Sequence, residues 1–315
     1  MKKAIAVDFG GTSIKMGVTQ GADILHKAEP LLTATYDGPA AIIKAMCTTA
    51  RELLQRHPDA AAVGLGMPGW TDFHRGVLYQ LTNVPVWNHE VPVRDIMQQA
   101  LGLPVALDND ANCMAYAEWK LGAGKGLESL VCLTLGTGIG GGIVIHNRML
   151  RGRTVSAAEL GQTSIDWRGR TGPFGNRGAI EEYIGNNEFA ADAVQAYAAA
   201  GQARSPEECT PYLLEQSARK GCPIAQGLYN SFAEKLACLI MNLMYAFVPE
   251  AVIIGGGVAK AGDLLFTPLQ EKLREQLFPV HYEALSLKPA HFGADSGLIG
   301  AGLMAADYSE GLLSE

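Results

Sequence analysis

Residues 108–112 read Asp-Asn-Asp-Ala-Asn and put two carboxylates and two amides into one short turn of a largely apolar chain. A carboxylate can take a proton from a bound hydroxyl, and a neighbouring amide can hold a diol by donating one hydrogen bond and accepting another. The preceding run, Leu103-Pro104-Val105-Ala106-Leu107, reads as a strand, and the segment from Ala111 reads as a helix closed by Gly122, which places Asn109 and Asp110 at a helix start. Asp and Asn are favoured as helix caps, and capping explains one of them. It does not explain Asn109, Asp110 and Asn112 together. A carboxylate at a helix N-terminus is expected to stay ionised, so the cluster has the chemistry to ready a sugar hydroxyl for attack on phosphorus.

Three glycine clusters offer bare backbone to a partner. In the first, Asp8-Phe9-Gly10-Gly11-Thr12, a carboxylate precedes uncovered N–H groups and a hydroxyl. Phosphate oxygens use such donors, and magnesium uses such a carboxylate, often through water. The cluster lacks the Gly-Lys-Ser/Thr ending and following helix of a Walker A loop, and a hairpin turn alone also explains its glycines. The second, Gly136-Thr137-Gly138-Ile139-Gly140-Gly141-Gly142, has more glycine than a turn needs, and a nucleotide phosphate would suit that bare backbone. The third, Gly255-Gly256-Gly257, follows the apolar run Ala251-Val252-Ile253-Ile254 and fits either a nucleotide-facing helix start or a tight strand-to-helix turn.

These groups need a scaffold. Residues 3–19 read as strand, Gly turn and returning strand, and residues 129–146 repeat that design, which hints at two similarly built lobes. Residues 40–56 have helical spacing, 61–69 and 103–110 read as buried strands ending in turns, and 187–200 and 223–247 are helical in pattern. An amphipathic helix follows Gly262, and the tail from Ser296 reads as a last helix packing through small residues. Strands alternating with helices indicate an α/β core. The boundaries expected are an N-terminal lobe over 1–115 joined by 296–315, and a C-terminal lobe over 116–295 carrying a long Gly- and Arg-rich loop at 163–180. With 315 residues and 48% hydrophobic content the chain can bury two cores.

A net charge of −7 offers no broad basic field for nucleic acid or an anionic membrane. Six scattered cysteines without a C-x-x-C pair suit a reducing cytosol. Asp8 and the Gly pair interrupt the apolar start before it can serve as a secretory signal, and no stretch has membrane-spanning length. A cytoplasmic protein acting on small molecules is expected.

The order D-x-G-G-T, G-x-P-G, N-D-A-N, L-G-T-G-I-G-G-G, E-x-G, G-G-G over nearly the whole chain resembles the ROK family of sugar kinases and repressors, in particular its bacterial glucokinase-like members. The resemblance implies an actin-like ATPase (ribonuclease H-like) fold of two lobes, with ATP and sugar meeting in the central cleft. It implies Asp110 as the base for a sugar 6-hydroxyl, with Gly66, Asn83, Asn109, Glu159, Gln162 and Glu181 on the sugar side and Trp87 in a looser match beside Asn83. On the nucleotide side it implies Asp8, Gly10, Gly11, Thr12, Lys15, Gly136, Thr137, Gly138, Gly255, Gly256 and Gly257, with Asp8 also placing magnesium. Glucose is the first substrate expected, with fructose, allose or an N-acetyl amino sugar such as N-acetylmannosamine as alternatives, and the family implies a homodimer. A non-catalytic sugar-binding protein is a rival reading. A repressor is a second, but it needs an N-terminal DNA-binding domain, and here the first strand starts almost at Met1.

One departure stands out. Family members carry E-x-G-H and C-x-C-G-x-x-G-C-x-E, whose His and three Cys hold a structural zinc. The matching positions here are Gln162, Gly172, Phe174 and Ala179, which cannot build a tetrahedral nitrogen and sulfur site, so no structural zinc is expected. The loop would then keep its path by packing, with Phe174 as the candidate centre. Gln162 offers a longer arm to the sugar than His does. Arg168, Arg170 and Arg177 are either solvated or set to contact an acidic or phosphorylated substrate.

Overall fold

The computed structural model describes residues 1–313 except Thr82, Asn83, Pro85, Val86, Val155 and Ser156. The first half contains β1 (Lys3–Phe9), β2 (Ser13–Gln20), β3 (Asp23–Lys27), β4 (Leu31–Leu32), α1 (Pro39–Arg56), β5 (Ala62–Met67), β6 (Trp70–Asp72), β7 (Val77–Gln80), α2 (Val93–Leu101), β8 (Val105–Asn109) and α3 (Asp110–Lys120). The second contains β9 (Leu130–Leu135), β10 (Ile139–Ile145), β11 (Arg148–Met149), α4 (Glu181–Ile184), α5 (Asn186–Ala199), α6 (Pro211–Arg219), α7 (Pro223–Phe247), β12 (Ala251–Gly256), α8 (Asp263–Gln276), α9 (Pro279–Ala284), β13 (Leu287–Pro289) and α10 (Ser296–Ser309).

Two sheets share one plan. In the first the order is β3-β2-β1-β5-β8, with β4 on β2; in the second it is β11-β10-β9-β12-β13. Each begins as an antiparallel meander and continues with two parallel strands. The doubled hairpin in the sequence is therefore the start of each sheet, and the α/β expectation holds.

Strand alternation decides the layers. Ile5, Val7 and Phe9 face a core shared with α1, whose Ile42, Ile43, Met46, Cys47, Ala50 and Leu53 recur at helical spacing. Ala6 faces the other way, into a core shared with α3 and α10. On β9, Val131, Leu133 and Leu135 join α5, α7 and α8, whereas Leu130 and Cys132 turn toward α3 and α10. The middle layer is thus two helices between two sheets. Its closeness depends on small residues: at Gly140 in β10 a Cβ would lie 2.9 Å from the Cβ of Ala111 in α3, and at Gly142 one would overlap Ala115. Among the described residues no helix is long and apolar enough to cross a membrane.

Candidate active site

Pairing aligns Asp8 of β1 with Gly66 of β5, and Gly66 with Asp108 of β8, so the parallel strands deliver their carboxyl ends to one edge. Open α/β sheets place their ligands at such an edge.

The clustered Asp and Asn residues divide their work. Asp108 is buried, its side chain 3% exposed, and its Oδ2 accepts from Arg151 Nε at 2.7 Å. Its Oδ1 accepts from the Asn109 backbone N–H and from Asn112 Nδ2, each at 2.8 Å. The Arg151 guanidinium lies 4.0 Å from the centre of the Phe73 ring. Asn109 is the N-cap: its Oδ1 accepts from the N–H of Ala111 at 2.9 Å and of Asn112 at 3.4 Å. Its Nδ2 donates to Gly69 O at 3.2 Å, so the oxygen of this amide serves the helix and only N–H remains for a ligand. Asp110 is left as the carboxylate whose own bonds come from backbone N–H groups, Ala111 among them.

Burial and then the negative charge of Asp8 push the Asp110 carboxyl up to about 7, against the pull of backbone N–H groups. The sequence-based expectation that a helix N-terminus keeps this group ionised is thereby corrected: desolvation outweighs the dipole. Glu159 is likewise pushed up to about 7, by burial first and then by Asp110 and Glu181. Glu159 is exposed to the cleft, however, so water screens much of this shift.

Asp110 and Glu159 line a cavity of about 500 Å³ together with Gly11, Thr12, Asn109, Glu181 and Gly136 to Gly141. The second glycine turn is closed by Gly136 N–H donating to Gly138 O at 3.0 Å, and Asn186 N–H donates to Gly136 O at 3.0 Å. Glu181 braces it, Oε2 accepting from Ile139 N–H at 2.8 Å and Oε1 from Gln162 Nε2 at 3.1 Å. Lys15, paired with Asp8 across the hairpin, donates from Nζ to Asp8 Oδ2 at 3.2 Å and to Ala294 O at 3.5 Å. Gly255, Gly256 and Gly257 line a separate cavity of about 270 Å³ with Ile254, Pro289 and Ala294. Lys15 thus ties the carboxylate end of the first sheet to the rim of this second cavity.

Several sequence assignments shift. Gly66 is not on the cavity wall; a Cβ there would lie 3.1 Å from Cys113 Sγ, so it admits α3, and Pro68 and Gly69 line the cavity instead. Gly140 and Gly142 admit α3 as well, so only part of the glycine run offers backbone to a ligand. Gln162 does not line the cavity, and both ends of its amide are engaged, by Glu181 and Asn176. Gly10 lies behind the tip, its N–H donating to Ser13 O at 2.9 Å. Phe174 is not the centre of its loop; it is 48% exposed and packs on Trp70 at 5.5 Å between ring centres. Arg170 serves the fold through Asp192 at 3.1 Å and Glu182 O at 2.7 Å, and Arg168 lies over the exposed Trp167 ring at 4.1 Å. Asn83 lies outside the described residues. Sequence reasoning missed Thr134, Ala158 and Arg151; only the alternation of β9 could have turned Thr134 inward.

Bare backbone at Gly11, Thr12, Thr137 and Gly138 fits phosphate oxygens. Among the described residues no three His, Cys, Asp or Glu side chains form a ready-made metal cage, so a divalent ion at Asp8 would complete its shell with phosphate oxygens and water, as magnesium commonly does.

Comparisons with known proteins agree with this geometry. A sequence model of the ROK family matches residues 4–308. A Thermotoga maritima protein named Glucokinase is 33% identical, with 95% of this chain and 96% of that protein covered. Among solved structures, a ROK hexokinase from Thermus thermophilus superposes with a TM-score of 0.83 at 34% identity, covering 98% of this chain and 99% of that one. A ROK family glucokinase from Streptomyces griseus, solved with glucose and AMPPNP, gives 0.80 at 31% identity, covering 97% and 99%.

Proposed function

The chain belongs to the ROK family, with the actin-like ATPase fold, and is a carbohydrate kinase; on that premise we propose that it transfers the γ-phosphoryl group of ATP to the 6-hydroxyl of a hexose, glucose first among candidates. The observation carrying this reading is Asp110, a carboxylate bonded, among the described residues, only by backbone N–H groups, on one cavity wall with two glycine turns.

In this reading the sugar oxygen forms its bond to the γ-phosphorus as its proton passes to Asp110. The bond between that phosphorus and the bridging oxygen breaks, and its electron pair leaves on ADP. Asn109 donates to a ring hydroxyl through its remaining N–H, and Glu159 accepts from others. The N–H groups of Gly11, Thr12, Thr137 and Gly138 hold phosphate oxygens, and the cavity at Gly255 to Gly257 takes the base. Magnesium, held at Asp8, would neutralise phosphate charge. A base of this kind contributes about a hundredfold to ten-thousandfold. All six cysteines are free, which supports a cytoplasmic location.

The test is ADP release with Mg-ATP across glucose, mannose, fructose, allose, N-acetylglucosamine and N-acetylmannosamine. Turnover on glucose, or on one of the others, identifies the acceptor. Absence of turnover on all six with folded protein would refute a hexokinase of this range.

A further inference from the structure

The loop at 163–180 ends in a small hairpin, Thr171 bridging Arg177 and Gly172 N–H donating to Asn176 O at 2.8 Å. From it, Asn176 Nδ2 reaches the backbone oxygen of Gln162 at 3.2 Å and its side-chain Oε1 at 3.1 Å. Gln162 Nε2 donates to Glu181, which holds Ile139 N–H, and the Gln162 backbone N–H donates to Glu159 O at 3.0 Å. Chemistry fixes the direction at both ends. The Gln162 carbonyl can only accept, so Asn176 must present its NH₂; the Glu181 carboxylate needs a donor, so Gln162 must present Nε2 and leave Oε1 for Asn176. Asn176 Oδ1 is buried with no partner among the described residues, so donation to Gln162 is the polar use of this side chain.

We infer that Asn176 and Gln162 form an amide relay, and that Asn176 is the positioning residue that holds Glu159, Glu181 and the Gly136–Gly138 turn in working order. The relay occupies the place where the family pattern puts zinc ligands, and the residues present do not fit that metal. Gly172 and Ala179 have no donor side chain, the Phe174 ring lies on Trp70, and the Gln162 amide is already engaged. Hydrogen bonds to a carboxylate and a backbone carbonyl replace metal bonds, and they are weaker singly. The Trp70–Phe174 contact at the hairpin tip adds a second tether, to the first half of the chain.

The kinetic part of this inference rests on the kinase reading, so its test has a readout that does not. In the purified full chain, Asn176→Ala should speed hydrogen exchange in peptides covering 134–142 about tenfold, the loss of one hydrogen bond to a polar network. It should raise the sugar KM by a similar factor with a smaller change in kcat. Asn176→Asp should do the same, because two oxygens then face Gln162. Gln162→Glu sets a carboxylate against Glu181, with Glu159 beyond it, so protection should be lost at pH 8 and return near pH 5, where the pair can share a proton. Unchanged exchange and KM in folded Asn176→Ala would overturn the relay, as would a Gln162→Glu protein that exchanges like the parent at both pH values. A stoichiometric zinc ion in the parent protein, whose removal by chelator loosens the same peptides, would overturn it too. Exchange effects as expected in a parent protein that phosphorylates no sugar would refute the kinase reading and leave the relay standing.

Discussion

Replacing Asp110 by Asn should stabilise the protein and remove its turnover, and both effects have one cause. Burial and the charge of Asp8 lift this carboxyl from its ordinary 3.8 to about 7. Between those values the folded chain binds more protons than the unfolded one, so stability falls as pH rises from about 4 to about 7 and stays reduced above that. At about 1.4 kcal/mol per pH unit the ceiling is on the order of 4 kcal/mol. Water in the cleft screens part of this, and about 2 kcal/mol is the working expectation. Asn keeps an oxygen to accept from the Ala111 N–H, so the helix start survives.

Urea unfolding of parent and variant at pH 4 and pH 8 measures the effect. The two proteins should be close at pH 4, and the variant more stable at pH 8. Turnover should fall about a hundredfold or more while sugar binding persists. In the parent, kcat/KM should rise between pH 6 and pH 8 as the base loses its proton. Equal responses to pH in the two proteins would refute the burial argument. Turnover within about threefold of the parent would remove Asp110 from its role as base.

Arg151→Met should leave the buried Asp108 without its cation and cost about 3 kcal/mol in urea unfolding; a loss below about 1 kcal/mol would show that the pair does not anchor the turn. Gly142→Val should overlap Ala115 and cost about 1–3 kcal/mol in the same assay, and an unchanged midpoint would show that β10 and α3 can separate freely. Alanine replacement of Trp70, Phe174 and both should reveal a coupling of about 0.5–1.5 kcal/mol in unfolding; strict additivity would mean that the two rings do not support each other.

The sheet starts were legible because period-two alternation around glycine has one reading: β1 with β2 and β9 with β10 lie within a residue or so of where the pattern puts them. Helix α1 was legible for the matching reason at period 3.6. The hairpin of β6 and β7 was not, since strands of three and four residues are too short to show a period. At residues 108–112 the sequence supplied the chemistry but not its division, because Asp108 is claimed by Arg151, 43 residues onward. The glycine run from 136 to 142 failed differently. A bare backbone is equally open to a phosphate and to a helix, and only the fold shows that α3 takes Gly140 and Gly142. Gln162 looked available until Asn176 engaged it.

The two sheets follow one plan yet end differently, and the difference matters for phosphoryl transfer. The first delivers Asp8 and Asp108 at its strand ends, with Asp110 one residue beyond β8. The corresponding ends of the second are Leu135 and Gly136, Gly256, and Pro289, none of them charged. A proton acceptor has to be a base, whereas the wall that takes phosphate does best with N–H donors and no carboxylate. One sheet design used twice, with acid at one set of tips and bare backbone at the other, meets both demands, Asp110 and the Gly136 tip lining one cavity and Gly256 and Pro289 a second. The separation is incomplete, since Glu159 and Glu181 also reach the cavity. Incoming phosphates would lift Asp110 further unless a cation came with them. A divalent ion at Asp8 in the proposed reaction would therefore keep a base of this kind ionised near neutral pH.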